Sequence, residues 1–357
     1  MLFGFSRRNV VRQHNHKSSR PAPKRRRLAF DCLEDRRLLS AGSVEISPAQ
    51  TFAVASYPPG NTAPSNTLDP GTVAWTSNHA VAMDSKGDTV VVWDDSPTNP
   101  ATNQPTGQWT LNYQLYTDNG TMLAPSIGGP LTSKSNGSAV TTNVGSPWVA
   151  MAPTSGEFVV VWQTQSTESW SNGWLVASTY AQLYSDIQGP LTDPILVGKA
   201  GQAQPWGVAM GDNGFDVLYG APPNTKHITY VNNYQVPTVA RYSSTGAPLG
   251  TPISVVNDAD YNYTAAISAD PAGNFVVGWE NSTSGSNGSV YSLNWQRFTS
   301  AGAAEGSAKQ EITQDFPGSI NLAVDSSDDF VMTWFDGQFT NVPKGLDAQT
   351  VYANDTL

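Results

Sequence analysis

Several residue types that mark particular folds and activities are scarce in this 357-residue chain. It has one cysteine, Cys32, so no disulfide can form within the chain. Charged residues are only 13 % of the total, and no apolar run reaches the 18 residues that predict a membrane-spanning helix. Glycine, proline and aromatic residues are plentiful instead, a mix typical of a turn-rich all-β protein.

Histidine and arginine are nearly absent beyond the first 42 residues. That part of the chain holds two histidines, His79 and His227, and two arginines, Arg241 and Arg297. A triad with a histidine base has little choice of residue, and a histidine-rich metal centre is disfavoured. A sialidase-like site needs three arginines to bind the substrate carboxylate, and this region has only two.

Charge is distributed unevenly along the chain. Residues 1–40 contain 11 of the 19 Lys and Arg residues, so the remainder carries 8 basic and 26 acidic groups, a formal net charge of −18. Phosphate binding needs clustered Lys and Arg, so a nucleic-acid partner and an anionic membrane are disfavoured. Divalent cations or neutral polymers fit this balance better.

The basic residues 1–42 form the first of two expected regions. Their Ser, Asn, His and Pro content predicts a disordered targeting segment. Within Arg25–Ala41 the sequence resembles the LEPR-XLL motif of large exported bacterial proteins, with Asp35 in place of the motif's proline. This resemblance implies an extracellular or cell-surface location and no activity. The residues that match the motif are Leu33, Glu34, Arg36, Leu38 and Leu39.

Residues 43–357 contain five copies of one pattern, spaced about 60 residues apart. In each copy an apolar alternation, a polar turn and a second apolar run end on an aromatic residue, which predicts a hairpin. A third strand and a Gly-bearing turn follow in the first four copies, and a short fourth strand such as Met122–Ile127 or Pro252–Val255 completes the unit. The five segments are Val81–Trp93, Val149–Trp162, Val208–Tyr219, Ala266–Trp279 and Leu322–Trp334.

Such four-stranded sheets have two apolar faces, and radial stacking would cover both. We therefore predict an all-β fold, a β-propeller of five four-stranded blades. The fifth copy lacks a fourth strand, and Ser43–Ser47 resembles the fourth strand of the fourth copy. We expect this N-terminal strand to close the ring, and we expect the protein to be a monomer.

The repeat also resembles one found in large secreted bacterial proteins, which reads Asp-x-x-Gly-Asn followed by Phe-Val-Val-Val-Trp and a Gln-Arg-Tyr/Phe strand. The fourth copy fits best, from Asp270 to Phe298, and the third departs most, with Tyr219 in place of Trp. This resemblance implies a surface or adhesion-type propeller of unknown ligand.

Most repeated residues are expected to serve the fold. The turn residues Asp84, Asp270 and Asp325, with Asp212 nearby in a fourth copy, admit a calcium site, but one acid per turn favours ordinary turn chemistry. We therefore expect no cofactor and no metal. The closing aromatics are expected to fill the space between blades rather than stack on sugars.

Non-repeating aromatics give the candidate binding site. One residue stands just before the first strand of each copy. These residues are His79, Trp148, Trp206, Thr264 and Ile320. Because the first strand of a propeller blade lies nearest the axis, we expect His79, Trp148 and Trp206 to gather at one mouth of the channel, either as a shallow ligand site or as a plug.

Two functions remain open on the sequence. The main hypothesis is a non-enzymatic surface propeller that binds protein or polysaccharide. The alternative is a secreted glycoside hydrolase using carboxylates at the channel mouth. No spacing singles out a catalytic pair among the available acids, which are Asp94, Asp95, Asp258, Asp260, Glu280, Asp315 and Asp336.

Overall fold

The computed structural model describes most of the repeat region. The described residues are 74–99, 104–105, 109–123, 128–131, 144–169, 175–198, 204–221, 236–256, 264–285, 288–313, 317–336 and 345–353. Residues 1–42, with the targeting segment and its motif, and the proposed closing strand at 43–47 lie outside them. The described part is all-β and has no helix that could cross a membrane.

The strands form five sheets in chain order. The first contains β1 (Ala74–Met83), β2 (Thr89–Asn99), β3 (Gln104–Pro105), β4 (Thr110–Tyr116) and β5 (Gly128–Pro130). The second contains β6 (Val144–Met151), β7 (Glu157–Ser169), β8 (Leu175–Ser185), β9 (Gly189–Pro190) and β10 (Ile195–Val197). The third contains β11 (Gln204–Gly211), β12 (Gly214–Ala221), β13 (Val236–Ser243) and β14 (Ile253–Ser254). The fourth contains β15 (Ala265–Ala269), β16 (Phe275–Gly285), β17 (Gly288–Phe298) and β18 (Ala304–Thr313), and the fifth contains β19 (Pro317–Val324), β20 (Phe330–Asp336) and β21 (Leu346–Val351).

Each of the first four sheets has a main path of four antiparallel strands, as the repeat predicts. The fifth has three among the described residues. One strand position differs from the prediction: Met122 makes only an isolated bridge to Tyr116, and the fourth strand of the first sheet lies at Gly128–Pro130. The stretch Gly-Gly-Pro has no apolar alternation, so the sequence pattern does not mark it as a strand.

The repeated aspartates stabilise the first hairpin turn. The Asp84 carboxylate accepts hydrogen bonds from the main-chain N–H groups of Lys86 and Asp88, both at 2.9 Å. Asp270 accepts the same bond from Asn274, and Asp325 from Ser327 and Asp329. This is the turn chemistry expected for these residues. Asp212 differs, because its carboxylate accepts the N–H and hydroxyl of Thr154 in the preceding sheet.

Consecutive sheets pack face to face through four apolar clusters. The clusters join the first sheet to the second, the second to the third, the third to the fourth and the fourth to the fifth. A phenylalanine at the start of the second strand contributes to each cluster, and so does the closing aromatic. The phenylalanines are Phe158, Phe215, Phe275 and Phe330, and the aromatics are Trp162, Tyr219, Trp279 and Trp334.

The two arginines of the repeat region contact neighbouring sheets. Arg241 on β13 pairs with Asp216 at 3.1 Å and lies 5.7 Å from the ring centre of Phe275 in the fourth sheet. Arg297 on β17 lies 4.7 Å from the ring centre of Phe330 in the fifth sheet. Both guanidinium groups therefore take part in packing and are not available as a substrate clamp.

The outer faces of the first and fifth sheets differ from the covered faces. Val81 and Met83 on β1 are 63 % and 65 % exposed, and Phe335 and Leu346 of the fifth sheet are exposed too. The position that holds phenylalanine in sheets two to five holds Thr89 in the first. Among the described residues, no apolar cluster joins these two faces, so the closure of the ring stays a prediction.

Candidate functional site

A single cavity is bordered by the first strands of all five sheets. Its volume is about 540 Å³, within the range of small-molecule sites. Strands β1, β6, β11, β15 and β19 each contribute lining residues, so the five sheets converge on it. One strand of every sheet therefore borders the same space.

Local register shifts in four of these strands occur where they border the cavity. The pairing of β1 with β2 shifts between Thr76 and His79, and that of β6 with β7 between Gly145 and Trp148. Similar shifts lie between Pro205 and Gly207 and between Gly318 and Asn321. A bulge inserts an extra residue and re-aims neighbouring side chains, and bulges are common beside active sites.

Two serines in these bulges have left-handed backbone conformations. Ser146 has a φ of 51° and Ser319 a φ of 54°, values that non-glycine residues adopt rarely. They occupy the same repeat position, two residues before Trp148 and Asn321, which both line the cavity. Strained backbone costs about 1–3 kcal/mol and is concentrated at functional sites. Its recurrence here distinguishes the cavity wall from the rest of the sheets.

Both candidate tryptophans line the cavity. Trp148 on β6 is 39 % exposed, so it presents a large apolar surface to whatever occupies the space. Trp206 is the extra residue of the β11 bulge, and only 9 % of it is exposed because it also belongs to the cluster between the third and fourth sheets. Trp148 is therefore the better stacking surface, and Trp206 is partly structural.

Four of the five residues that stand just ahead of the repeated first-strand segments reach the cavity. His79, exposed on β1, and Ile320 on β19 line it together with Trp148 and Trp206. Thr264 is not among the lining residues, and its carbonyl accepts the N–H of Glu280. His79, Trp148 and Trp206 therefore line the same cavity, while their place at a channel mouth and their role in binding stay predictions.

Sequence reasoning missed three polar residues of the wall. Asn78, Ser146 and Asn321 line the cavity beside the predicted residues. Asn78 is held by Asp94, whose carboxylate accepts both the main-chain N–H and the side-chain amide. The only available signal was their position in the repeat, one or two residues from His79, Trp148 or Ile320.

The carboxylates proposed for hydrolysis do not line this cavity where they are described. Asp94 and Glu280 are each 1 % exposed and occupy the same repeat position, directly after the closing tryptophan. Burial raises the pKa of Asp95, a hydrogen bond with Asn112 opposes that shift, and the charge of Asp94 adds to it. The side chain of Asp336 and the three remaining acids, Asp258, Asp260 and Asp315, lie outside the described part.

The described residues contain no set of side chains that could bind a metal ion. No group of three or more His, Cys, Asp or Glu residues there could hold an ion. The described residues of the cavity wall include no Asp, Glu, Lys or Arg, and His79 is the one titratable side chain among them. The site therefore offers aromatic faces, amides and hydroxyls, which suit an uncharged ligand.

Comparison with known proteins supports the fold alone. No family model and no curated protein matches the chain. It is similar to a solved protein of unknown function from Dyadobacter fermentans, with a TM-score of 0.50 and 11 % identity over 79 % of this chain and 80 % of that one.

Two weaker similarities involve enzymes. An α-L-arabinanase from Penicillium chrysogenum, solved with arabinobiose, has a TM-score of 0.46 and 11 % identity over 76 % of this chain and 80 % of that one. An α-L-arabinofuranosidase from Fusarium graminearum has a TM-score of 0.42 and 10 % identity over 78 % and 94 %. At these values neither enzyme bears on the activity of this chain. The class that the sheets and their common cavity define is a β-propeller-like all-β protein.

Proposed function

We propose that the central cavity binds carbohydrate. The observation that carries this proposal is the pairing of an exposed tryptophan face with amide and hydroxyl side chains in one space of about 540 Å³. Sugars present apolar C–H faces and hydroxyl edges, and aromatic rings with neutral polar groups match both. A polysaccharide therefore fits this concave site better than a protein partner.

The proposed ring has five blades and is closed by the N-terminal strand at 43–47. The support is the convergence of five first strands on one cavity and the three-stranded fifth sheet. The LEPR-XLL-like motif and the secreted-protein repeat support an exported or cell-surface location. Protease accessibility of the tagged full chain on intact bacteria tests that location, and protection from protease would contradict it.

Glycoside hydrolysis is the second candidate function. The observation that favours it is the shared position of Asp94 and Glu280, two buried carboxylates on strands that pair directly with cavity-lining strands. Glycoside hydrolases of this kind use a pair of carboxylates. A binding protein and a hydrolase would share the cavity and differ in turnover.

One experiment tests binding and turnover together. The purified full chain is mixed with a panel of neutral polysaccharides, and both retention and release of reducing ends are measured. Retention without release supports the binding protein, and release supports the hydrolase. Absence of both retention and release across the panel contradicts the proposed function.

A further inference from the structure

The polar side of the cavity contains one side chain that is tied to a buried carboxylate. Asn78 lines the cavity and is exposed, whereas Asp94, on the neighbouring strand β2, is 1 % exposed. The main-chain N–H of Asn78 donates to Oδ1 of Asp94 at 2.7 Å, and its side-chain Nδ2 donates to Oδ2 at 2.9 Å. One carboxylate therefore holds both ends of the same residue.

This contact fixes the direction of the Asn78 amide. The Asp94 carboxylate oxygens accept both hydrogen bonds, so the NH₂ end of the amide points toward Asp94. The carbonyl Oδ1 is then turned away from Asp94. A carbonyl oxygen has two lone pairs, so it can accept a ligand hydroxyl alongside another hydrogen bond.

The bulge in β1 makes the contact possible. The pairing of β1 with β2 skips Asn78, because Thr76 pairs with Asp95 and His79 with Trp93. An extra residue in a bulge is left out of the ladder, so its N–H is available to a side chain. Asp94 stands at the level of this bulge, between the two paired residues of β2.

The remaining wall limits the charge of the ligand. Among the described residues that border the cavity, none is Asp, Glu, Lys or Arg. Carboxylated sugars are usually held by Arg or Lys, which pair with the carboxylate. A wall of tryptophan, asparagine and serine lacks such a partner, so burying an acidic sugar here would cost desolvation without compensation.

We propose that Asn78 is a ligand-contacting residue that selects a neutral sugar by accepting a hydrogen bond from its hydroxyl, and that Asp94 is its positioning residue. This inference rests on the proposed carbohydrate-binding function and names the ligand class and the residues that choose it. It also gives Asp94 a role that does not require it to touch the sugar.

The test is a double-mutant cycle on the full chain. Affinity for the best neutral oligosaccharide of the panel is measured for wild type, Asn78→Ala, Asp94→Asn and the double variant. Losing one hydrogen bond is expected to weaken binding by roughly tenfold in each single variant. Because Asp94 acts through Asn78, the double variant is expected to bind no more weakly than Asn78→Ala. Asn213→Ala, at an exposed turn of the third sheet, is the matched control and should bind like wild type.

Two further measurements separate positioning from general damage. The side-chain amide protons of Asn78 should exchange slowly in wild-type NMR spectra and rapidly in Asp94→Asn, while the melting temperature confirms that the variant folds. Wild type should also bind the neutral oligosaccharide at least tenfold more tightly than a uronic-acid counterpart of equal length at pH 7.

The possible failures are distinguishable. If wild type binds no carbohydrate, the proposed function falls and this assignment falls with it. If wild type binds but Asn78→Ala binds equally well, only the role of Asn78 is overturned. A further loss when Asp94→Asn is added to Asn78→Ala, or unchanged amide exchange in Asp94→Asn, overturns the positioning role. Equal affinity for the acidic oligosaccharide overturns the neutral-ligand assignment.

Discussion

Arg297 of the fourth sheet holds the turn of the fifth through Asp328. Its guanidinium lies 3.0 Å from the Asp328 carboxylate and donates to the main-chain carbonyl of the same residue at 2.6 Å. Asp328 has a φ of 64°, at the turn position where the first and fourth sheets have Gly87 and Gly273. The arginine therefore anchors a residue whose backbone conformation usually requires glycine.

Replacing this arginine should destabilise the fold. Arg297 also donates to the carbonyl of Tyr352 at 2.9 Å and packs on Phe330, so Arg297→Ala leaves two carbonyls without this donor. We expect the free energy of unfolding to fall by about 3 kcal/mol. Asp328→Gly is the comparison, since glycine suits the positive φ and Arg297 keeps the carbonyl contacts. Denaturant unfolding that shows equal losses for the two variants would contradict this interpretation.

Truncating a phenylalanine that is buried between two sheets should lower the free energy of unfolding far more than truncating the equivalent residue of the first sheet. Phe275 is buried between the third and fourth sheets and stacks on Phe298 at 4.8 Å. Phe275→Ala is expected to cost about 3–5 kcal/mol. Thr89→Ala, at the equivalent position of the first sheet, is expected to cost less than about 1 kcal/mol. Comparable losses in thermal unfolding would mean that the outer face of the first sheet is packed like the others.

Asp216 should make stability depend on pH. Burial raises its pKa to about 6, although the charge of Arg241 and its hydrogen bond act in the opposite direction. A carboxyl with a raised folded-state pKa contributes stability below its unfolded value near 3.8, and this contribution is lost as pH rises to about 6. Unfolding free energies of wild type and Asp216→Asn, measured from pH 4 to pH 7, should therefore differ in slope. Wild type should lose stability relative to the variant over this interval, and parallel curves would contradict the shift.

The closing strand can be tested by deletion. Removing residues 43–55 should lower the melting temperature markedly if this segment completes the fifth sheet, whose β21 is an edge strand in the described structure. Removing an equal length from the basic head, residues 10–22, is the control and should leave the melting temperature unchanged. Identical melting curves for both deletions would exclude closure by this strand.

The sequence predicted the strands of the hairpins more completely than it predicted the residues of the site. Alternation and turn residues placed the second strands correctly, because the buried residues Val90, Phe158 and Phe275 lie at or next to the first residues of β2, β7 and β16. The alternation of apolar and polar residues changes phase at each bulge. The sequence pattern therefore did not predict that β1 begins as early as Ala74. The positions of His79, Trp148 and Trp206, one or two residues ahead of the repeated segments, predicted that they would lie close together, because the first strands of the sheets border one cavity.

The hydrogen bonds of the site could not be predicted in the same way. Asn78 and Asp94 are 16 positions apart, and nothing in the repeat pairs them. Their contact depends on the bulge in β1. The sequence around Asn78 has no glycine that would indicate a bulge there, so the bulge could not be predicted. The turn aspartates were easier, because an Asx turn involves residues only two to four positions apart.

Calorimetric titration of the full chain with neutral oligosaccharides tests the carbohydrate-binding cavity most directly. Wild type should show saturable binding at one site, and Trp148→Ala should weaken it by roughly tenfold or more, since the exposed indole is the main stacking surface. Trp206→Phe should keep the packing between sheets and lose less affinity, and Tyr352→Ala, an exposed aromatic that does not line the cavity, should bind like wild type. Equal affinities for wild type and Trp148→Ala, or no binding by wild type, would contradict the account.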